Sequence, residues 1–382
     1  MHRDPDYATA SRALDAEILA VIGAWRAGGD PLAGDAFDAL ALRLFAYQLQ
    51  YNRAYARYCA RFGFTPSSLP ESWEQIPPVP AAAFKDAALA TFNPSEAALV
   101  FATSGTTAGR AGMHYFESAA LYDAALLAGF DRFVLPDGAR LQFFLLVPDP
   151  SERTASSLGY MMRAVARARG AGDAGWYLRA DELRFEAFVS DLRDAIAGGR
   201  PVCIAATAFA LVHALEAMNA AGLRLPLPAG SRIMETGGFK GRTRAIERSD
   251  LYARLQNAFE VDAAAIVAEY GMTELTSQYY DDVLLRAGGG DVRRKAAPPW
   301  LRARVVGPDG TTLPDGTVGA LVHVDLANRA SCLAISTEDL GVRFAEPSGT
   351  GLGTFVLLGR ESGASLRGCS LDAETLSSGL GR

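Results

Sequence analysis

Residues 97–109 read Ala-Ala-Leu-Val-Phe-Ala-Thr-Ser-Gly-Thr-Thr-Ala-Gly. The first six form an apolar run that predicts a strand. At Thr103 the run gives way to a loop of hydroxyls and glycines. Glycine lets a backbone approach a phosphate, while Ser and Thr hydroxyls and backbone N–H groups donate to its oxygens. The same grammar recurs downstream. The apolar run 263–268 leads into Tyr270-Gly271-Met272-Thr273-Glu274. A hydroxyl beside a carboxylate suits a phosphate oxygen and a magnesium ion held together. Two loops of complementary chemistry point to one nucleoside-triphosphate site. The first loop is not a Walker P-loop, because no Gly-Lys-Ser or Gly-Lys-Thr closes it. In isolation it reads equally well as a solvated turn, so its neighbours in sequence carry the argument.

Outward from 97, apolar strands at 97–102, 141–147, 201–206, 231–235 and 264–269 alternate with helical patterns near 117–131, 157–170, 181–197, 207–221 and 248–259. Such alternation predicts a layered α/β fold with helices over a sheet. Upstream, 8–27 and 36–62 carry helical periodicity, and 64–80 holds five prolines and reads as an extended crossover. After 290 the pattern changes to short strands at 301–306, 318–324, 331–336 and 354–358, separated by Gly, Pro and Asp turns. This predicts a small β subdomain.

The 382 residues are 49% hydrophobic and 21% charged, enough to bury a large core. The net charge of −6 and the lack of a basic tract argue against nucleic acid as a partner. No apolar run reaches the length of a membrane span, and the N-terminus lacks a signal-peptide pattern. Cys59, Cys203, Cys332 and Cys369 are far apart and fit no zinc spacing. A reduced, cytoplasmic protein is the simplest expectation. Only three of the 37 basic residues are lysines, namely Lys85, Lys240 and Lys295.

Together with the two loops, Thr337-Glu338-Asp339 and Gly359-Arg360 complete an ordered set. That set resembles the adenylate-forming superfamily of acyl-CoA synthetases, peptide-synthetase adenylation domains and firefly luciferase. A narrower likeness is carried by Met234 to Arg242, by Tyr270 to Gln278, by Arg367-Gly368-Cys369-Ser370-Leu371, and by Ile76 to Leu89. These segments resemble the acyl-protein synthetase of the bacterial luminescence fatty-acid reductase. The resemblance implies ATP-dependent conversion of a carboxylic acid, fatty or aryl, to an acyl-adenylate. It implies an α/β adenylate-forming large domain with a small β subdomain and a truncated C-terminal end. The divisions expected are a helical subdomain at 1–95, a nucleotide- and acyl-binding core at 96–290, the β subdomain at 291–360 and a tail at 361–382. The superfamily's mobile C-terminal domain, with its adenylate-touching lysine, has no counterpart in that division.

Residue by residue, the resemblance implies that Thr103, Ser104, Gly105, Thr106 and Thr107 cradle the β- and γ-phosphates, with Ala108 in place of a usual glycine. Arg110 would add positive charge. Gly237 and Gly238 would let the backbone approach the adenine, on which Tyr270 stacks. Thr273 would contact the α-phosphate, Glu274 the Mg2+ ion, Asp339 both ribose hydroxyls, and Arg360 the ribose or an acidic partner. Read without the family, Asp339 is a turn residue before Gly341. Lys240 is either a ligand of the carboxylate or α-phosphate, standing in for the absent lysine, or a solvated loop residue. His114 either lines the substrate channel or lies on the surface; His213, on an Ala- and Leu-rich helix, reads as packed.

Read without the family, Cys369 is an inert tail cysteine; the likeness at Arg367 to Leu371 makes it the candidate acyl acceptor. On a short glycine-containing tail it could reach an acyl-adenylate and form a thioester, with Arg367 favouring the thiolate. Cys203 and Cys332 lie in apolar contexts and read as core. The acyl group would pass from Cys369 to a partner reductase or carrier. The alternatives are direct transfer to coenzyme A or to a carrier's phosphopantetheine, or a non-catalytic nucleotide-binding scaffold subunit.

Overall fold

A computed structural model describes residues 5–30, 32, 35–103, 110–179, 182–237, 247–286, 292–345 and 353–360. In chain order the elements are α1 (Pro5–Arg26), α2 (Ala36–Tyr51), α3 (Arg53–Ala60), β1 (Val79–Pro80), β2 (Leu99–Ala102), β3 (Met113–Phe116), α4 (Ala120–Phe133), β4 (Gln142–Pro148) and α5 (Ser157–Arg169). There follow β5 (Gly175–Arg179), β6 (Glu182–Leu183), α6 (Phe185–Ala197), β7 (Val202–Thr207), α7 (Ala208–Ala220), β8 (Arg232–Thr236), α8 (Arg248–Phe259), β9 (Ile266–Tyr270) and β10 (Tyr279–Asp281). The last strands are β11 (Lys295–Ala296), β12 (Leu301–Val306), β13 (Val318–Asp325), β14 (Ala334–Phe344) and β15 (Thr354–Arg360). The fold is mixed α/β, as the alternating pattern predicts. Among the described residues no helix is long and apolar enough to cross a membrane.

The elements group into two units. The first, a parallel-sheet unit, comprises the described residues of 129–271 and 278–293. Its strands run in the order β10-β9-β8-β7-β4-β5-β6, parallel from β9 to β5 and antiparallel at both ends. The parallel strands β4, β7, β8 and β9 are mostly apolar and largely buried because helices pack on the sheet, whereas β5 is half-buried. Phe144, Ile204, Ile233 and Ile266 from the strands pack with Phe188, Leu192, Leu211, Leu215, Leu251 and Leu255 from α6, α7 and α8. From β4 the chain adds β5 on one side, then returns to place β7 on the other. Such a reversal opens a crevice at the carboxyl ends of the strands, where open α/β sheets bind ligands. The helices leaving that edge are capped there. Ser156 accepts from Gly159 N–H at 3.1 Å and Thr207 from Ala210 N–H at 3.2 Å. Gly159 must lack a side chain, since a Cβ would lie 2.6 Å from the Pro148 carbonyl oxygen.

The second unit comprises the described residues of 1–128, 272–277 and 294 onward. It holds α1–α3, the hairpin β2–β3 and the antiparallel sheet β12-β13-β14-β15-β11, with β1 parallel on β14. Trp300, Tyr55, Phe37 and Phe45 are fully buried there. The helical pattern at 36–62 is broken at Asn52. Its extended backbone ends α2, and its side chain caps α3 by accepting from Tyr55 N–H at 3.1 Å. The Asn52 amide also donates to the Ser331 carbonyl at 3.2 Å, so a long-range contact fixes the break. Two strands differ from expectation. The strand before Thr103 pairs in a two-stranded hairpin with β3, which sequence reading missed. The strand expected at 331–336 runs on through Asp339 to Phe344, because both neighbours continue the ladder.

Candidate functional site

The second unit contains two of the predicted loops. Thr103 closes the tip of the β2–β3 hairpin. Its N–H donates to the Gly112 carbonyl at 2.9 Å, and its hydroxyl accepts from Gly112 N–H at 2.9 Å. Gly112 fits there because a Cβ would come within 3.2 Å of the Thr103 methyl. Ser104, Gly105, Thr106 and Thr107 lie outside the described residues. Arg110, at the far side of the loop, is exposed.

The turn 272–277 carries Thr273, which is half-buried, and Glu274, which is 8% exposed. Side chains from distant positions hold its backbone from both ends. His114 Nδ1 lies 2.8 Å from the Thr273 carbonyl. The Asn328 amide donates to the Glu274 carbonyl at 2.9 Å and accepts from Thr276 N–H at 2.8 Å and its hydroxyl at 2.6 Å. Asp325 accepts from Thr276 N–H at 3.0 Å, from Ser277 N–H at 2.8 Å and from the Ser277 hydroxyl at 2.9 Å. Burial pushes the Asp325 carboxyl up to about 6, against the opposing pull of these donors. The turn is thus fixed at its main chain by bonds that do not draw on the Glu274 side chain.

Asp339 and Arg360 face each other across β14 and β15. Arg360 Nε donates to Asp339 Oδ1 at 3.1 Å, with Arg360 half exposed and Asp339 17% exposed. The two residues that the resemblance assigns to ribose are therefore ion-paired neighbours. Exposed pairs of this kind contribute little to stability, so the fold does not depend on this ion pair. His323, fully buried on β13, feels the charge of Asp339.

In the parallel-sheet unit the carboxyl ends of β8 and β9 carry the other predicted residues. Thr236 and Glu269 are register partners, and the Thr236 hydroxyl donates to the Glu269 carboxylate. Gly237 follows at φ +76, with no atom within 4 Å of where a Cβ would stand, so only the backbone conformation demands glycine. Tyr270 is half-buried, its ring 5.9 Å from that of Tyr279. Behind them Glu235 is fully buried, accepting from Tyr252 OH at 2.9 Å and paired with Arg248 at 3.1 Å. Gly238 and Lys240 lie outside the described residues. His213 is exposed on α7, its ring against Phe209 at 4.3 Å, rather than packed in the core.

Cys59, Cys203 and Cys332 are buried thiols, and burial raises the pKa of each, Cys203 to about 12. None of the three is poised as a nucleophile. Cys369 lies outside the described residues. Of the lysines, Lys85 is exposed and Lys295 is buried in β11. Among the described residues no three His, Cys, Asp or Glu side chains could hold a metal together. Magnesium needs no such cluster, since one carboxylate with phosphate oxygens and water commonly suffices. Glu274 fits that donor set.

His114 and His323 are both fully buried, and burial lowers each from the usual 6.5 to about 4. Between pH 6.5 and about 4 the unfolded chain takes up protons that the folded chain refuses. Stability conferred by the neutral rings is complete above 6.5 and declines on acidification. Each pKa unit corresponds to about 1.4 kcal/mol, so the pair contributes a few kcal/mol as an order of magnitude. Thermal midpoints should therefore fall from pH 7 to pH 4.5. His323→Gln should flatten that slope; an unchanged slope would assign the acid sensitivity to other groups.

Sequence reading missed Asn328, Asp325, Thr236 and Glu269, and placed His114 only loosely. A signal was present for some of them. Asp325 and Asn328 interrupt a strongly apolar stretch, and Glu269 ends the run before Tyr270.

Comparison with known proteins adds three findings. The family model for acyl-protein synthetases, LuxE, matches residues 33–377. The solved structure of 2-hydroxyisobutyryl-CoA ligase with 2-HIB-AMP in the postadenylation state superposes with a TM-score of 0.65 at 16% identity, over 85% of this chain and 67% of that one. The same ligase in an open conformation with 2-HIB-AMP and CoA gives 0.61 at 16% identity, over 87% and 71%. At such identities the likeness establishes the fold of an adenylate-forming ligase. No curated protein matches the sequence.

Proposed function

The chain belongs to the LuxE family of acyl-protein synthetases and is an acid–thiol ligase of the adenylate-forming type, and on that premise we propose how its own residues divide the work. A carboxylate oxygen attacks the α-phosphorus of ATP. The new acyl–O–P bond forms as the bond to pyrophosphate breaks. A thiolate then attacks the acyl carbon, and AMP departs with the bonding electrons. The first step is mainly positioning and electrostatics.

In this reading the loop closed by Thr103, comprising Ser104, Gly105, Thr106 and Thr107, receives the β- and γ-phosphates. Thr273 donates to the α-phosphate. Glu274 holds Mg2+, which when bound shields phosphate charge. Asp339 accepts from the ribose hydroxyls, with Arg360 orienting it. Gly237, Gly238 and Tyr270 receive the base, and Lys240 pairs with the carboxylate or α-phosphate. The observation that carries the reading is the turn 272–277, pinned through its backbone by His114, Asn328 and Asp325 without recourse to the Glu274 carboxylate. Such preorganisation is what an electrostatic catalyst needs.

The thiol is proposed to be Cys369, which passes the acyl group to a partner reductase or carrier protein. Direct acylation of coenzyme A or a phosphopantetheine is the competing version. The free, buried cysteines suit a reducing compartment such as the cytoplasm. Acid-dependent exchange of labelled pyrophosphate into ATP, screened over fatty and aryl acids, tests adenylation. No exchange with any acid would favour a non-catalytic scaffold.

The ribose assignment has its own test. Asp339→Ala should raise KM for ATP in the exchange assay roughly tenfold or more, the scale of a lost charged hydrogen bond. Stability should change little, because the pair with Arg360 is partly exposed. An unaltered KM in a folded variant would place the ribose elsewhere.

A further inference from the structure

Beyond being one of the three side chains that pin the 272–277 turn, His114 has no role in the chemistry above, yet its own setting is tightly specified. It sits on β3 opposite Phe101, two residues beyond the Gly112 that closes the phosphate-loop hairpin. Its ring is 1% exposed, tilted against Phe116 at 4.1 Å and edge-on to Phe84 at 5.6 Å. Those aromatic contacts fix the rotamer. Nδ1 is then aimed at the Thr273 carbonyl, 2.8 Å away. A carbonyl only accepts, so Nδ1 carries the proton, and the ring stays neutral because burial depresses its pKa to about 4. The carbonyl held is the one directly before Glu274. One imidazole therefore ties the hairpin that bears the phosphate loop to the turn that bears the magnesium ligand.

We propose that His114 is a positioning residue for adenylation: its Nδ1–H holds the Thr273 carbonyl and so sets Thr273 and Glu274 against the hairpin closed by Thr103. The inference rests on the adenylation reading given above. The ordinary alternative is a core histidine whose only task is to fill space between Phe84 and Phe116 and satisfy one carbonyl. The two differ in what a substitution must restore. The alternative needs volume and apolar contact. The proposal needs a donor at the Nδ1 position.

Amide side chains separate these demands. The nitrogen of Asn branches from Cγ, as Nδ1 does, and can reach the same carbonyl. The nitrogen of Gln lies one bond further, nearer the Nε2 position. Leu keeps bulk and has no donor. Wild type, His114→Asn, His114→Gln and His114→Leu are compared in acid-dependent pyrophosphate exchange at temperatures where each is folded, with thermal midpoints recorded alongside. The expected result is a tenfold to hundredfold lower kcat for Gln and Leu, with KM for ATP within about threefold of wild type. Asn should recover kcat to within a few-fold even where its midpoint is lower than that of Leu.

Equal kcat in all folded variants, or a ranking that follows midpoint, would overturn the proposal. If the Leu variant does not fold, the Asn-against-Gln comparison carries the same decision. A readout without activity is the nitrogen NMR spectrum of the wild-type imidazole near pH 7. A protonated Nδ1 is expected, and a protonated Nε2 with bare Nδ1 would refute the geometry. Absence of exchange in wild type would instead count against the adenylation reading, leaving the tautomer result to judge His114 by itself.

Discussion

Glu274→Gln should lower acid-dependent pyrophosphate exchange by on the order of a hundredfold or more while the thermal midpoint stays near that of wild type. The substitution is nearly isosteric, and it would replace the proposed charged ligand of a hard cation with a neutral one. Stability is expected to survive because the turn is held through its main chain. Asn328 donates to the carbonyl of residue 274, Asp325 accepts from the N–H groups of 276 and 277, and His114 bonds the carbonyl of 273. None of these bonds uses the Glu274 side chain. Asn328→Ala gives the opposite profile. It removes two accepted and two donated hydrogen bonds from buried partners, so it should cost a few kcal/mol of stability along with activity. A Glu274→Gln protein that exchanges pyrophosphate at the wild-type rate would remove the magnesium role and leave Thr273 alone in that turn.

Local patterns made much of the fold legible. The parallel strands β4, β7, β8 and β9 are largely buried and therefore appear as mostly apolar runs. Strands β4, β7, β8 and β9, each shifted by a residue or two, and helices α5 to α8 lie where the periodicity puts them. Cys203 and Cys332 read as core from their flanks, and both are fully buried. What the sequence hid depends on contacts between distant positions. Asn52 ends α2 because its amide meets Ser331, some 279 positions away. Asp339 looks like a turn residue by composition, but it lies within β14, paired with Arg360 of β15 where the ladder to β13 shifts register. The strand before Thr103 resembles its neighbours in the alternating pattern, and only pairing with Met113–Phe116 reveals a hairpin. The same limit applies to the site. Thr273 and Glu274 were visible as a motif, whereas the residues that fix them, His114 and Asn328, are 159 and 54 positions away from their partners.

Cys369→Ser separates the two half-reactions. If Cys369 is the acyl acceptor, it acts only after the acyl-adenylate exists. Acid-dependent pyrophosphate exchange should then remain nearly intact, while a hydroxylamine-labile acyl label on the protein, measured with radiolabelled acid on denaturing gels, should disappear. A serine hydroxyl stays protonated at neutral pH and is a far weaker nucleophile than a thiolate. The buried cysteines are the internal controls. Burial holds Cys203 as a neutral thiol, with its pKa pushed up to about 12, and Cys332 is fully buried beside Asn52. Cys203→Ser and Cys332→Ser should each cost on the order of 1–3 kcal/mol through burial of a hydroxyl and leave the label in place. A labile label on Cys369→Ser would move the acceptor to another residue. A wild-type protein that never carries the label but acylates free coenzyme A would establish direct transfer. Adenylation would stand in either case, because it is proposed to rest on the loops at 103–109 and 270–274 and on Asp339, none of which the serine substitution touches.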